Sequence, residues 1–220
     1  MSQARVISVN VGQPREVEFR GGSILTGIFK QPVAGRVAVH ELNLAGDRQA
    51  DLTVHGGRDK AVYGYPVEHY PYWAAELTGL DLPYGKFGEN LTTEGLDETA
   101  VYIGDQYRVG SAVLQVTQPR TPCYKLGIKF GRADMVEKFW SSRRSGFYFS
   151  VITEGELGAG DRIERVAFGR GKVSIAEVLQ LAGGLQPDRT QLERVLLSPL
   201  PDSWKLNFTE SFARAAQQVR

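Results

Sequence analysis

Polar and apolar residues alternate with a period of two through most of the first 170 positions, the signature of half-buried strands. The segments ARVISVNV (4–11), REVEFR (15–20), ILTGIFK (24–30) and GRVAVHELNL (35–44) predict four strands early in the chain. Further on, VYIGDQYRVG (101–110) predicts a strand with a turn at Gly104-Asp105. SAVLQVTQ (111–118), FYFSVITEG (147–155) and RIERVAF (162–168) continue the series. Two short amphipathic helices interrupt them: Glu68–Leu77, with Pro71 confined to its first turn, and Asp134–Ser141. Many short strands punctuated by Gly, Pro and Asp predict a mainly-β, α+β fold, a β-barrel with helical excursions rather than alternating βαβ units.

The texture changes after Gly171. Ser174 and Glu177 have capping-box spacing ahead of a helix that Gly183-Gly184 stops, and Asp188 with Gln191 repeats the signature ahead of a helix ended by Pro199. Asp202 is placed to cap a third, in which Trp204, Phe208, Phe212 and Ala216 recur at four-residue intervals as one apolar stripe. The expectation is a division into residues 1–170 and a tail of three helices of about ten residues each over 171–220, too short to stand alone and so docked inward.

Composition narrows the function classes. Lys and Arg number 26 against 25 Asp and Glu, a formal charge of +1, so the whole chain offers no general attraction to a nucleic-acid polymer or an anionic membrane. No window approaches the ~18 apolar residues of a membrane span, and no signal peptide is evident. A single cysteine excludes an intrachain disulfide, and a reducing cytoplasm is the expected setting. Glycine is abundant, 25 in 220 residues or about 11% against a usual ~7%, which implies many turns and close backbone approaches.

Three segments depart from ordinary strand-and-turn sequence. In Asp51–Tyr63, Gly56 and Gly57 separate His55 from Arg58, Asp59 and Lys60, giving exposed amides and cations suited to an anion, although such glycine turns are commonly just turns. In Gly85–Gly95, Phe87, Gly88, Glu89 and Asn90 combine an aromatic ring with groups able to read a heterocycle edge, or to cap their own loop. In Gln118–Lys125, Cys123 lies between a strand end and a predicted helix, with Arg120, Thr121 and Lys125 close by. Positive charge and a helix N-terminus favour the thiolate, a nucleophile and soft-metal ligand; the competing reading is a small buried hydrophobe. A Cys-His hydrolase using His40, His55 or His69 is a further alternative, and the widely spaced histidines lack a zinc-ligand pattern.

Taken in order, HGGRDKAVYGYPVEHYPYW, GKFGENLTTEGL, IGDQYRVG, QPRTPCYKL and GELGAGD (155–161), followed by a three-helix tail, resemble the MOSC domain family, named for the C-terminal domain of molybdenum-cofactor sulfurases, and within it the bacterial YiiM-like branch. The resemblance implies a β-barrel of the pyruvate-kinase-insert type with a small C-terminal three-helix domain. It implies binding of the molybdenum cofactor (Mo-molybdopterin), with Cys123 as the catalytic residue and protein ligand to the metal. His55, Gly56, Gly57, Lys60, Phe87, Gly88, Glu89, Asn90, Arg120 and Thr121 are the implied cofactor-binding residues. Arg143 and Arg144 precede Ser145-Gly146 where relatives often carry an Arg-Thr-Gly-like turn, which adds Arg144 to that set.

The implied activity is reduction of small N-hydroxylated compounds, such as hydroxylamino purine base analogues, to amines. The chain has no G-x-G-x-x-G dinucleotide motif, and one cysteine cannot bind an iron–sulfur cluster, so the electrons are expected from a separate reductase. The competing reading is a sulfur or cofactor carrier using Cys123. A third is an adaptor that binds a partner through the tail; it requires exposed tail aromatics, whereas Trp204, Phe208 and Phe212 share one face expected to pack inward.

Overall fold

A computed structural model of the chain describes residues 3–50 and 56–218. The first fifty residues form β1 (Arg5–Val11), β2 (Arg15–Phe19), β3 (Gly22–Thr26), β4 (Gln31–Val33), β5 (Arg36–His40) and β6 (Asn43–Leu44). Then follow β7 (Val62–Pro66), helix α1 (Tyr70–Glu76), β8 (Leu91–Glu94), β9 (Gln106–Val109) and β10 (Ala112–Pro119). Helices α2 (Tyr124–Phe130) and α3 (Met135–Ser142) lead into β11 (Phe147–Thr153), β12 (Gly155–Gly158) and β13 (Ile163–Ala167). The tail is α4 (Ile175–Ala182), α5 (Arg189–Leu197) and α6 (Asp202–Gln218). None of the described helices is long and apolar enough to cross a membrane.

The main sheet runs β13-β9-β10-β11-β7-β8-β1-β4; a three-stranded sheet β12-β5-β6 and the lone hairpin β2-β3 complete the strands. Pairing is antiparallel except between β7 and β8, whose connection carries α1. Beside the end strand β4, the start of β1 is also tied to the opposite side of the main sheet. Arg5 bridges Arg162, the Val6 amide donates to the Asp161 carbonyl at 2.9 Å, and the Ile163 amide to that of Ala4 at 2.8 Å. The sheet therefore curls back so that β1 meets the segment leading into β13, as the predicted barrel requires.

The alternating segments become β1, β2, β5, β10, β11 and β13. ILTGIFK is a strand only as far as Thr26, because at Gly27 the backbone passes so close to the Arg48 carbonyl that a Cβ would collide with it. Strands β4, β7, β8 and β12 were not anticipated, and the single strand expected over 35–44 is the tight hairpin β5-β6: β4 is three residues long and carries Pro32 on the sheet edge, where proline is tolerated, and β7, β8 and β12 lie within the glycine-rich motifs.

Two apolar clusters organise the interior. One fills the curled sheet and continues without a break into the tail through Val173, Ile175, Val178, Val195 and Phe208, with Trp204 and Phe212 packed against it, so the tail aromatics point inward. The other is aromatic, built from Tyr63, Tyr65, Tyr70, Trp73, Phe87, Phe130 and Phe139 beneath α1, α2 and α3. Side chains of this size contribute about 1.5–3 kcal/mol each when fully buried. In the tail, Asp188 and Gln191 complete a reciprocal capping box, whereas only the Ser174 half forms at α4 because Glu177 turns away to pair with Arg194 at 2.6 Å. Helix α6 is 17 residues long, beyond the ten expected, and Asp202 lies inside its first turn rather than before it.

Candidate functional site

The segment between β10 and α2 is shaped by two prolines. Pro119 and Pro122 keep the residues before them extended, so the chain leaves the sheet as a short strap and enters α2 at Cys123, the N-cap, with φ −128° and ψ 169°. Leu126, Gly127 and Phe130 bury α2, and Gly131 closes it in the left-handed conformation. The Lys129 ammonium then ties the far end down by donating to the carbonyls of Ile28, at 2.7 Å, and Gly85. The half-buried thiol is held in place by the packing of a whole helix.

Cys123 lines an open cleft together with the root of the β2-β3 hairpin, the loop that follows β6 and Tyr148 of β11. Among the described residues its wall carries Lys30, Arg48, Lys60, Arg120 and Lys125 and no carboxylate. Lys30 is neutralised from behind by buried Asp47, which also accepts from the Gly12 amide and from Asn90 Nδ2, both at 2.9 Å. Burial lowers the Lys60 pKa, against the opposing pull of Asp59.

Arg120 is the most informative wall residue. It is 5% exposed, its guanidinium lies 5.2 Å from the Tyr63 ring and 4.9 Å from the Phe139 ring, and its Nη1 has no hydrogen-bond partner. Burial opposes its charge, but the phenols of Tyr63 and Tyr148 and the Cys123 thiol outweigh this and raise its pKa. A buried charged donor left unsatisfied costs about 1–3 kcal/mol or more, so the site is poised for an acceptor, preferably an anion.

The structure brings together six of the residues singled out from sequence: Lys60, Gly88, Asn90, Arg120, Thr121 and Cys123 all line the cleft. Asn90 is also structural, because its Oδ1 accepts from the Tyr63 amide at 3.1 Å while its Nδ2 serves Asp47. The other residues lie elsewhere. Phe87 is fully buried in the aromatic cluster, stacked on Tyr65 at 4.6 Å. Glu89 is fully buried and turned onto its own loop: it accepts from the Gly85 amide (2.7 Å), the Phe87 amide (3.0 Å), the Thr92 hydroxyl (3.1 Å) and the Tyr70 phenol. Burial pushes its carboxyl pKa up in spite of these donors.

Arg144 stacks on Tyr72 at 3.7 Å and donates to the Ser142 carbonyl, away from the cleft, while Arg143 reaches the Leu179 carbonyl of α4 at 3.0 Å. Gly56 and Gly57 open the 58–60 turn without lining the cleft, and His55 lies outside the described residues. His69 pairs with Glu98 at 2.9 Å, and Glu98 in turn accepts from the Gly146 amide; this brace stands behind the wall, and neither His69 nor the exposed His40 lines the cleft.

Sequence reasoning missed Arg48, Gln49, Lys30 and Tyr148 as wall residues. Arg48 and Gln49 sit in a plain polar loop after β6 and carried no local signal. Lys125 was noted only as a neighbour of the thiol.

Known proteins resemble this one in sequence and fold. The chain is 43% identical over 211 residues to the uncharacterized protein YflK of Bacillus subtilis, spanning 94% of this chain and 95% of that one. It is 31% identical over 201 residues to a Gibberella moniliformis protein named reductase, covering 90% of this chain and 34% of that one. The crystal structure of YiiM from Geobacillus stearothermophilus superposes with a TM-score of 0.78 at 34% identity, over 95% of this chain and 99% of that one. Residues 51–164, which carry Lys60, the glycine-rich loop and the Cys123 strap, match the MOSC domain model, and the chain belongs to the MOSC domain family.

Proposed function

We propose that the cleft binds the molybdenum cofactor through Cys123 and that the protein reduces small N-hydroxylated compounds, such as hydroxylamino purine base analogues, to amines, a detoxifying reaction. The observation that carries this reading is that the Cys123 thiol and the unpartnered Nη1 of Arg120 share one cleft whose described wall bears cations and no carboxylate. The residues fit the group. A thiolate suits a soft, sulfur-bound metal, and guanidinium and ammonium groups suit a pterin phosphate.

Cys123 would hold the metal, and Arg120, Arg48, Lys60 and Lys125 the anionic and polar parts, with the Thr121 hydroxyl between them. When bound, the cofactor supplies the two-electron chemistry, R–NH–OH + 2 H⁺ + 2 e⁻ giving R–NH₂ + H₂O. The chain's own residues fix the thiol at the head of α2, neutralise charge and orient what enters. With one cysteine and no dinucleotide motif, the electrons come from a separate reductase; the Gibberella relative's name supports an oxidoreductase. A cytoplasmic location suits the lone thiol.

Protein purified from molybdenum-replete cells should contain molybdenum and a fluorescent oxidised pterin, and should reduce a hydroxylamino purine when given a reductant. Cys123→Ser should lose the metal and the turnover. Wild-type protein holding neither molybdenum nor pterin would sink the proposal. If mass spectrometry instead found one extra sulfur atom stably attached to Cys123, with no turnover, the carrier reading would replace it.

A further inference from the structure

The hairpin β2-β3 stands apart from the rest of the fold. Its strands pair only with each other, and its tip is a tight turn with positive φ at Arg20 (50°) and Gly21 (79°). Two-stranded hairpins are marginal on their own, so this arm is held by few contacts. At its root, Thr26, Gly27 and Ile28 form one wall of the cleft. Towards its tip, Phe19 stacks on Tyr124, centroids 5.3 Å apart and planes at 26°.

Tyr124 directly follows Cys123 and is 47% exposed, whereas Tyr63, Tyr65, Phe87 and Phe139 are buried and Tyr148, on the cleft wall, is half-buried. We propose that Tyr124 is the specificity-determining residue of this site: a planar substrate ring displaces Phe19 from the Tyr124 face and stacks there, its N–OH directed toward the cleft. The proposal rests on the reading that reduction occurs at the Cys123 cleft. With the cationic cleft given to the cofactor, the substrate approaches beside Cys123, where Tyr124, next in sequence, is partly exposed and its face becomes available when Phe19 moves off it. Every aromatic heterocycle has a π-face to match it. The weakly held arm lets Phe19 yield, and Arg20, 5.1 Å over the Phe19 ring, moves with it.

The test uses the molybdenum-loaded protein, with adenine as a ring lacking N–OH and hydroxylamine as an N–OH lacking a ring. Calorimetric titration should show adenine binding that Tyr124→Ala weakens about tenfold, Tyr124→Phe preserves, and Phe19→Ala strengthens by freeing the face. In turnover, Tyr124→Ala should lower the ratio of kcat/KM for a hydroxylamino purine to kcat/KM for hydroxylamine by about tenfold. Adenine binding that is absent from wild type or unchanged in Tyr124→Ala, or an unchanged turnover ratio, overturns the proposal. Adenine binding that depends on Tyr124 in a protein reducing neither N–OH compound leaves the stacking site standing and removes the reductase reading.

Discussion

The indole N–H of Trp204, in the first turn of α6, donates to Gln118 Oε1 at the end of β10, 2.7 Å away. This fixes the Gln118 amide so that its Nε2 faces the Asp59 carbonyl at 3.4 Å, which the Thr117 hydroxyl also engages at 2.6 Å. The tail is thereby joined to the turn that carries Lys60. Trp204→Phe keeps the ring on Phe208 and leaves a buried carbonyl oxygen without its donor, an expected loss of about 1–3 kcal/mol. Urea denaturation should show a lower midpoint at unchanged slope.

Gly146 holds the wall behind Arg120. Its φ is 62°, and a Cβ there would collide with the Gly64 carbonyl oxygen on the neighbouring strand. Gly146→Ala is expected to lower stability by about 2–4 kcal/mol, read as a drop in Tm, since the colliding atom is backbone and cannot swing aside.

Lys129 gives the apoprotein a pH signature. Burial, helped by repulsion from Lys30, Lys86 and Arg120 and opposed by Glu89, lowers its pKa to about 7. Between pH 7 and the ordinary lysine value of ~10.4 the unfolded chain binds a proton that the folded chain does not, so this group makes stability rise with pH there, by up to about 1.4 kcal/mol per unit. Below pH 7 both states are protonated and its contribution is flat. Chemical denaturation across pH 6–10 should show this rise in wild type and a shallower one in Lys129→Met, which will also be less stable because the Ile28 and Gly85 carbonyls lose their donor.

Arg120→Met separates stability from function. Removing a buried cation whose Nη1 is unpartnered, while keeping an apolar stem on Tyr63 and Phe139, should stabilise the apoprotein by about 1 kcal/mol, the desolvation relief exceeding the lost cation–π contacts and the hydrogen bond to Tyr148. The same variant should retain pterin about tenfold less well, measured as fluorescence per protein after gel filtration. A parallel loss of both properties would contradict the role given to Nη1.

The strands and tail helices were legible because their signals are local: alternation gave β1, β5, β10 and β11, and Asp188 with Gln191 marked the start of α5. The strap carrying Arg120, Thr121 and Cys123 was legible for the same reason, a strand end, two prolines and a helix start in one short run. Phe87 and Glu89 were misplaced because Gly88, at φ 84°, reverses the chain between them: one side chain enters the aromatic cluster and the other folds back onto the loop's own amides. Arg48 and Lys30 reach the cleft only through pairings far apart in sequence, which no local pattern reports. Helix α6 outruns the ten residues expected because no glycine or proline follows Asp202 to stop the stripe that runs from Trp204 to Ala216.

The join between β1 and residues 160–163 sets an order on synthesis. Strand β1 leaves the ribosome about 150 residues ahead of Asp161 and Ile163, so the stretch of edge it offers them stays open in the meantime. That join cannot form earlier. Such long-range pairing folds slowly, and an unpaired apolar edge is where a nascent chain is prone to add a stranger's strand. Misassembly during translation should therefore centre on β1, whose Asn10 is hydrogen-bonded to Asn90 of the cleft wall, so an error there would reach the cleft as well.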